Sequence, residues 1–178
     1  MNTFLLLSCL YVFTGCVYGT VVHDYYWRDF SFGYIPDDAV EIDNGGKYVG
    51  QIYNSRAILV ATIYPHLGEA IGEMSGKVVK KENIKILCTS DESRLYWEYV
   101  DFHSPVGDEL KNAIRGGYYF NSHYYFIGKA YDSGEWRAGK VISWERNNRG
   151  LALWDSKGKY KQIKQFYLLK YNSTTTGI

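Results

Sequence analysis

Phe126-Ile127-Gly128-Lys129-Ala130-Tyr131-Asp132-Ser133 has the pattern of a strand running into a turn, and the same pattern occurs earlier as Tyr48-Val49-Gly50-Gln51-Ile52-Tyr53-Asn54-Ser55. In both stretches an aromatic ring, a β-branched residue and a glycine are followed, at one spacing, by a tyrosine and a serine. Outward from this pair the correspondence continues in order. Tyr26-Trp27 with Phe32 recurs as Tyr96-Trp97 with Phe102, and Ala39-Val40 as Ala113-Ile114. Gly76-Lys77, followed by Ile84, Ile86 and Leu87, recurs as Gly158-Lys159, followed by Phe166, Leu168 and Leu169. The offset grows from 70 to 82 along the chain and never reverses. Small loop insertions between two copies of one module produce that behaviour.

Two units follow, Tyr25 to Ser90 and Leu95 to Tyr171, joined near Asp91 to Arg94. Within each, the runs are rich in β-branched and aromatic residues and are punctuated by glycine, which predicts strands. Arg56 to Tyr64, Asn83 to Cys88, Leu95 to Phe102 and His123 to Tyr131 are the clearest of them. Asp108 to Ile114 alone reads as a short helix, and Arg115-Gly116-Gly117 as a glycine turn entering an aromatic strand. The expected fold is all-β.

The flanks read differently. Phe4 to Val12 is apolar and uncharged, and small residues follow it up to Gly19. The run is about half the length a bilayer span needs, so residues 1–19 are expected to be a signal peptide. The division is then 1–19 signal peptide, 20–90 first repeat, 91–171 second repeat and 172–178 a disordered tail, in a secreted, extracellular protein with no membrane span. Cleavage after Gly19 leaves Cys88 as the one cysteine, so no internal disulfide forms despite an oxidising export route. Asn172-Ser173-Thr174 is a glycosylation sequon.

Charge and motif content exclude several functions. The formal net charge is +1, which gives no general attraction to nucleic acid or anionic lipid. His23, His66, His103 and His123 lack metal-ligand spacing. No nucleophile elbow is present, and Gly139-Lys140-Val141 lacks the remainder of a phosphate loop. The expectation is a protein that is not an enzyme and carries no cofactor.

The ordered elements resemble the DM9 repeat family. The first copy carries Trp27, Ile35-Pro36-Asp37-Asp38-Ala39-Val40, Tyr48-Val49-Gly50 and Gly76-Lys77. The second carries Trp97, Ala113-Ile114, Phe126-Ile127-Gly128-Lys129-Ala130, Ala138-Gly139-Lys140-Val141 and Gly158-Lys159. The resemblance implies two repeats packed about a pseudo-twofold axis. The family includes mannose-binding lectins of innate recognition, often dimeric, in which an Asp before Tyr-Val-Gly and the Lys of Pro-Gly-Lys hold sugar hydroxyls. Carried over, Lys140 matches the Lys in the second copy, where Tyr118 and Tyr119 stand at the Asp position. In the first copy Asp43 takes the Asp position and Thr62 stands where the Lys should be.

The chemistry of such a site is simple. A carboxylate accepts hydroxyl protons, an ammonium donates to several oxygens, and ring faces meet sugar C–H groups. Asp43 and Lys140 are therefore the first ligand-binding candidates, with Asn44 and Asn121 as polar support and Tyr119, Tyr124 and Trp136 as the platform. A lone sugar site binds near millimolar, about −4 kcal/mol, so a homodimer or two competent halves would add avidity. The partners expected are glycans or glycoconjugates. The alternative is a secreted interaction or structural protein with a degenerate sugar site, in which Asp43 and Lys140 lie apart instead of sharing one open pocket.

Overall fold

The computed structural model describes residues 23–104, 107–120 and 122–173. Among them the protein is built of antiparallel strands and three short 3₁₀ turns. A first set comprises β1 (Tyr25–Phe30), β2 (Glu41–Asp43), β3 (Lys47–Asn54), β4 (Ala57–Tyr64), β5 (Glu69–Glu73), β6 (Lys77–Lys80) and β7 (Ile84–Thr89). A second set comprises β8 (Leu95–Asp101), β9 (Arg115–Tyr119), β10 (His123–Asp132), β11 (Glu135–Ile142), β12 (Gly150–Trp154), β13 (Tyr160–Ile163) and β14 (Gln165–Tyr171). The turn Glu92–Arg94 links them, with the Asp91 carboxylate accepting from the Ser93 amide.

Pairing follows one order in both sets. In the first it runs β1-β7-β3-β4-β5-β6 with β2 added on β3. In the second it runs β8-β14-β10-β11-β12-β13 with β9 added on β10. Register matches too: Val49 faces Thr62 and Gly50 faces Ala61, as Ile127 faces Lys140 and Gly128 faces Gly139. Trp27 faces Leu87 as Trp97 faces Leu169. The sets join through β4 and β9, where Ala57 faces Tyr119 and Ile58 faces Tyr118.

Burial explains this arrangement. Ile52, Leu59, Ile63, Ile84 and Ile86 pack together in the first set. Val100, Phe102, Val141, Leu153 and Phe166 pack together in the second. A third group lies between them and takes Val49, Val60 and Leu87 from one set and Ile127, Ala138 and Leu169 from the other. This shared layer makes the two sets one body, because neither could remove those side chains from water alone. Thr62 belongs to the same layer. Its hydroxyl accepts from the Ala138 amide and donates to the Ala138 carbonyl, both at 2.9 Å, so this fully buried polar group of β4 is satisfied.

Two local expectations are corrected. Asp108–Leu110 forms only a 3₁₀ turn, and Ala113 then bridges to Lys170. Asn112 takes a positive φ of 63° and ends the turn before a helix can propagate. Gly116 and Gly117 are not a turn but lie inside β9. A Cβ on Gly117 would stand 2.1 Å from the Ile58 carbonyl oxygen, so glycine is what lets β9 close against β4. Residues 1–19, residues 174–178 and Asn121 lie outside the described residues. No helix among the described residues is long and apolar enough to cross a membrane.

Candidate functional site

β11 sends Lys140 to the side of the strand that faces the first set. There the end of β5 supplies Glu73, and the two meet at the floor of an open cavity of about 540 Å³. Tyr125 from β10 and Tyr119 from the end of β9 form one wall. Trp144, Glu145 and Asn148, in the segment after β11, form another, and Tyr160 at the start of β13 closes the rim with Met74 and Ser75.

The floor is an ion pair taken out of water. Lys140 is 3% exposed and Glu73 2%. The Lys140 ammonium lies 2.7 Å from the Glu73 carboxylate and also donates to the Glu73 carbonyl, while Met74 Sδ lies 3.9 Å away. The other Glu73 oxygen accepts from the Gly76 amide at 3.0 Å. Burial drives the Lys140 pKa below its ordinary value, opposed by the Glu73 charge and more weakly by Glu145. A buried charge is tolerable only when paired and hydrogen-bonded, and both ends of this pair meet that condition.

The walls are aromatic and braced. Trp144 stacks 4.9 Å from His123 and 5.2 Å from Tyr125. The Lys140 ammonium stands 5.3 Å from the Tyr125 ring centre, a cation–π contact on the floor. Burial raises the pKa of the Tyr125 phenol, so it stays a hydroxyl that donates and accepts. Tyr160 is raised by burial and then by Glu73 and Glu145. Glu145 accepts from the Asn148 amide at 2.9 Å. Hydroxyls, a carboxylate and a buried ammonium thus converge on one space beside ring surfaces, as a polyhydroxylated or hydrogen-bonding ligand requires.

Two of the residues singled out in the sequence, Lys140 and Tyr119, line this cavity. Asp43 does not. It closes its own turn by accepting from the Gly45 amide and lies 3.6 Å from Lys47, which is itself 3.5 Å from Glu135. From there the charges continue through Arg137 and Asp132 to Lys161. Asn44 lines a separate groove of about 280 Å³ with Glu41, Glu92 and Trp97. The Arg115 guanidinium lies over the Tyr124 ring at 4.0 Å, and Trp136, on the Lys140 side of β11 but four residues away and outside the cavity, joins an aromatic row. Asn121 lies outside the described residues, and Asn172 is exposed at the end of β14, its carbonyl accepting from Arg94.

Sequence reasoning missed Glu73, Met74, Tyr125, Trp144, Glu145, Asn148 and Tyr160. One signal was present: Glu73 is a carboxylate ending the apolar run Ala70-Ile71-Gly72, a position that demands a partner once the run is a buried strand. Nothing in the sequence connects it to Lys140, its partner across the fold. Among the described residues no cluster of three or more His, Cys, Asp or Glu side chains could hold a metal ion. Cys88 is buried beside Asp38, and burial pushes its thiol up to about 12, which makes it a poor nucleophile.

A family model of the DM9 repeat matches residues 42–147, from β2 to the segment after β11, and so spans parts of both sets. The crystal structure of the nematode sperm cell motility protein MFP2B is similar in fold, with a TM-score of 0.58 and 18% identity over 87% of this chain and 49% of that one. The chain therefore spans about half the length of that solved structure. No curated protein sequence matches.

Proposed function

Because the chain belongs to the DM9 repeat family, we propose that it is a DM9-type binding protein, not an enzyme, and that its ligand is a carbohydrate held in the Lys140 cavity. The observation that carries this reading is the floor of that cavity, where a buried ammonium–carboxylate pair lies under aromatic walls with Glu145 and Asn148 at the rim. Sugar hydroxyls would bond to Glu145, Asn148 and the phenols. The third ammonium donor of Lys140 would exchange its weak contact with Met74 Sδ for the deepest sugar oxygen, since Glu73 occupies the others. We read residues 20–90 and 91–171 as two DM9 repeats, of which only the second contributes the Lys. We read the apolar run Phe4 to Val12 as an export signal, and export would bring the cavity to surface glycans.

A glycan array with residues 20–178, then titration of any hit, tests this reading. Glu145→Gln with Asn148→Ala changes only rim groups and should weaken binding about tenfold, the loss of roughly 1.4 kcal/mol from charge-assisted contacts. Absence of binding to any glycan at high protein density, or unchanged affinity in the rim variant, would sink it.

A second reading has its own support. Asp43 does not share the Lys140 cavity, as this reading expected, Lys140 spends two donors on Glu73, and the protein of similar fold is a sperm cell motility protein. A secreted interaction or structural protein with a degenerate sugar site fits these observations, and it predicts a silent array beside a protein partner captured by the intact chain.

A further inference from the structure

We propose that the exposed end of the β8–β14–β10–β11 face, beyond the layer shared with the first set, is a second contact surface, separate from the Lys140 cavity, for an extended, neutral, β-linked polysaccharide chain. Four rings form a continuous row across these strands. Tyr131 lies 5.7 Å from Trp136, Trp136 lies 5.7 Å from Tyr167, and Tyr167 lies 5.7 Å from Tyr99, each pair edge-to-face. Tyr131 is 62% exposed, Tyr99 54% and Tyr167 36%. Lys129 braces the row from below. Its ammonium stands 4.3 Å from the Trp97 ring and 5.2 Å from the Trp136 ring, and donates inward to the Ile42 carbonyl.

The fold itself does not require these rings, and the first set provides the control. Counting from the matching Trp–Leu pairs, the Tyr99–Tyr167 pair of β8 and β14 falls where β1 and β7 carry Asp29 and Lys85. That pair is an exposed ion pair at 2.7 Å. Likewise Tyr131–Trp136 falls where β3 and β4 carry Tyr53 and Ile58. The same backbone therefore closes with an ion pair at the position where the second set exposes aromatic surface to water. A contiguous patch of this kind marks an interaction surface.

The charge on the face selects the occupant. Among the described residues its one ammonium is turned inward, and a carboxylate, Asp101, sits at the margin beside Tyr99, held by Gln165 at 2.9 Å and by the exposed His103 ring at 2.6 Å. Among the described residues the row turns no ammonium or guanidinium outward to an anionic chain, nucleic acid included, and the Asp101 carboxylate opposes one. A neutral chain of flat sugar rings offers C–H faces to the aromatic row and hydroxyls to the phenols. Because the row crosses four strands, an extended chain engages several rings at once and gains avidity that a monosaccharide cannot.

The test is retention of residues 20–178 on insoluble cellulose, chitin and β-1,3-glucan, comparing wild type, Tyr99→Ser/Tyr131→Ser and the rim variant Glu145→Gln/Asn148→Ala. Far-ultraviolet circular dichroism and sedimentation of each protein accompany it. The expected result is retention of wild type and rim variant on at least one polymer, and about tenfold weaker retention of the double serine variant, the effect of removing two stacking contacts. Failure of wild type to bind all three polymers overturns the proposal, and so does equal retention of the serine variant. A change from dimer to monomer without loss of retention also overturns it and makes the row a self-association surface. Loss in the rim variant alone overturns it while leaving the cavity reading intact.

Discussion

At matching registers the two strand sets carry opposite chemistry. Opposite Val49 in β4 stands Thr62, whose hydroxyl is consumed by the Ala138 backbone. Opposite Ile127 in β11 stands Lys140, whose ammonium needs Glu73 and opens a cavity. Beside Thr62 the space is filled: Tyr64 donates to Glu135 at 3.1 Å, Lys47 reaches the same carboxylate, and Arg137 covers Trp154 at 5.1 Å. At the exposed end of each shared face the pair Asp29–Lys85 stands against the aromatic pair Tyr99–Tyr167. Backbone pairing is shared while the chemistry is not. In this fold, then, side chains at a few register positions decide what each set can bind, and the strand ladder only positions them.

The largest effect separates the two ion pairs. Glu73→Ala leaves a buried ammonium without its carboxylate and should cost about 3–5 kcal/mol, read as a fall in denaturant midpoint. Asp29→Ala breaks an exposed pair and should cost no more than about 1 kcal/mol. Similar losses in the two variants would mean that the cavity floor is as solvated as the exposed Asp29–Lys85 pair, and the contrast drawn above would collapse. Replacing both partners, with Glu73→Leu and Lys140→Met, should recover most of the stability while abolishing any ligand binding in the cavity.

Thr62→Val sharpens the other side of the comparison. It keeps the shape but strands the Ala138 amide and carbonyl in a dry layer, a loss of about 1–3 kcal/mol. Hydrogen exchange at the Ala138 amide should accelerate in step. If stability holds, Thr62 is a filler and not the bond that ties β4 to β11.

The smallest effect concerns the charged chain near Thr62. Burial opposes ionisation of Asp132, but Lys161, Ser133 and Arg137 outweigh it and hold its pKa below the usual carboxylate value. At Glu135 burial is likewise outweighed, by Arg137, Tyr64 and Lys47. A depressed native pKa stabilises the fold above the unfolded value and is lost as pH falls through the native one. Melting temperature should therefore drop on acidification below the ordinary carboxylate range, and Asp132→Asn should flatten that drop. An unchanged acid profile in the variant would remove this chain from the forces that keep the first-set corner closed.

Much of the fold was legible in the chain itself. The recurrence of Tyr48-Val49-Gly50 as Phe126-Ile127-Gly128 located β3 and β10, and the glycine-punctuated β-branched runs located most of their neighbours. These are local signals: period-two burial and turn chemistry act over a few residues and leave their mark in order along the chain. The Asp108 to Ile114 segment misled because a 3₁₀ turn and the start of a helix share the same first residues. Gly116-Gly117 misled because the need for glycine there comes from the Ile58 backbone on another strand.

The site was decided by tertiary structure alone. The resemblance to the DM9 repeat singled out Lys140, with Tyr119 as part of an aromatic platform, but Asp43 went to Lys47, and the partner of Lys140 came from Glu73, 67 residues away in sequence. The sequence determined strands, order and which side chains would carry charge or rings. Which charge meets which, and which rings stay exposed, follows from the crossing of β4 over β11 and from the shared apolar layer. Desolvation and pairing energies depend on distances through space, and the order of residues along the chain does not contain those distances.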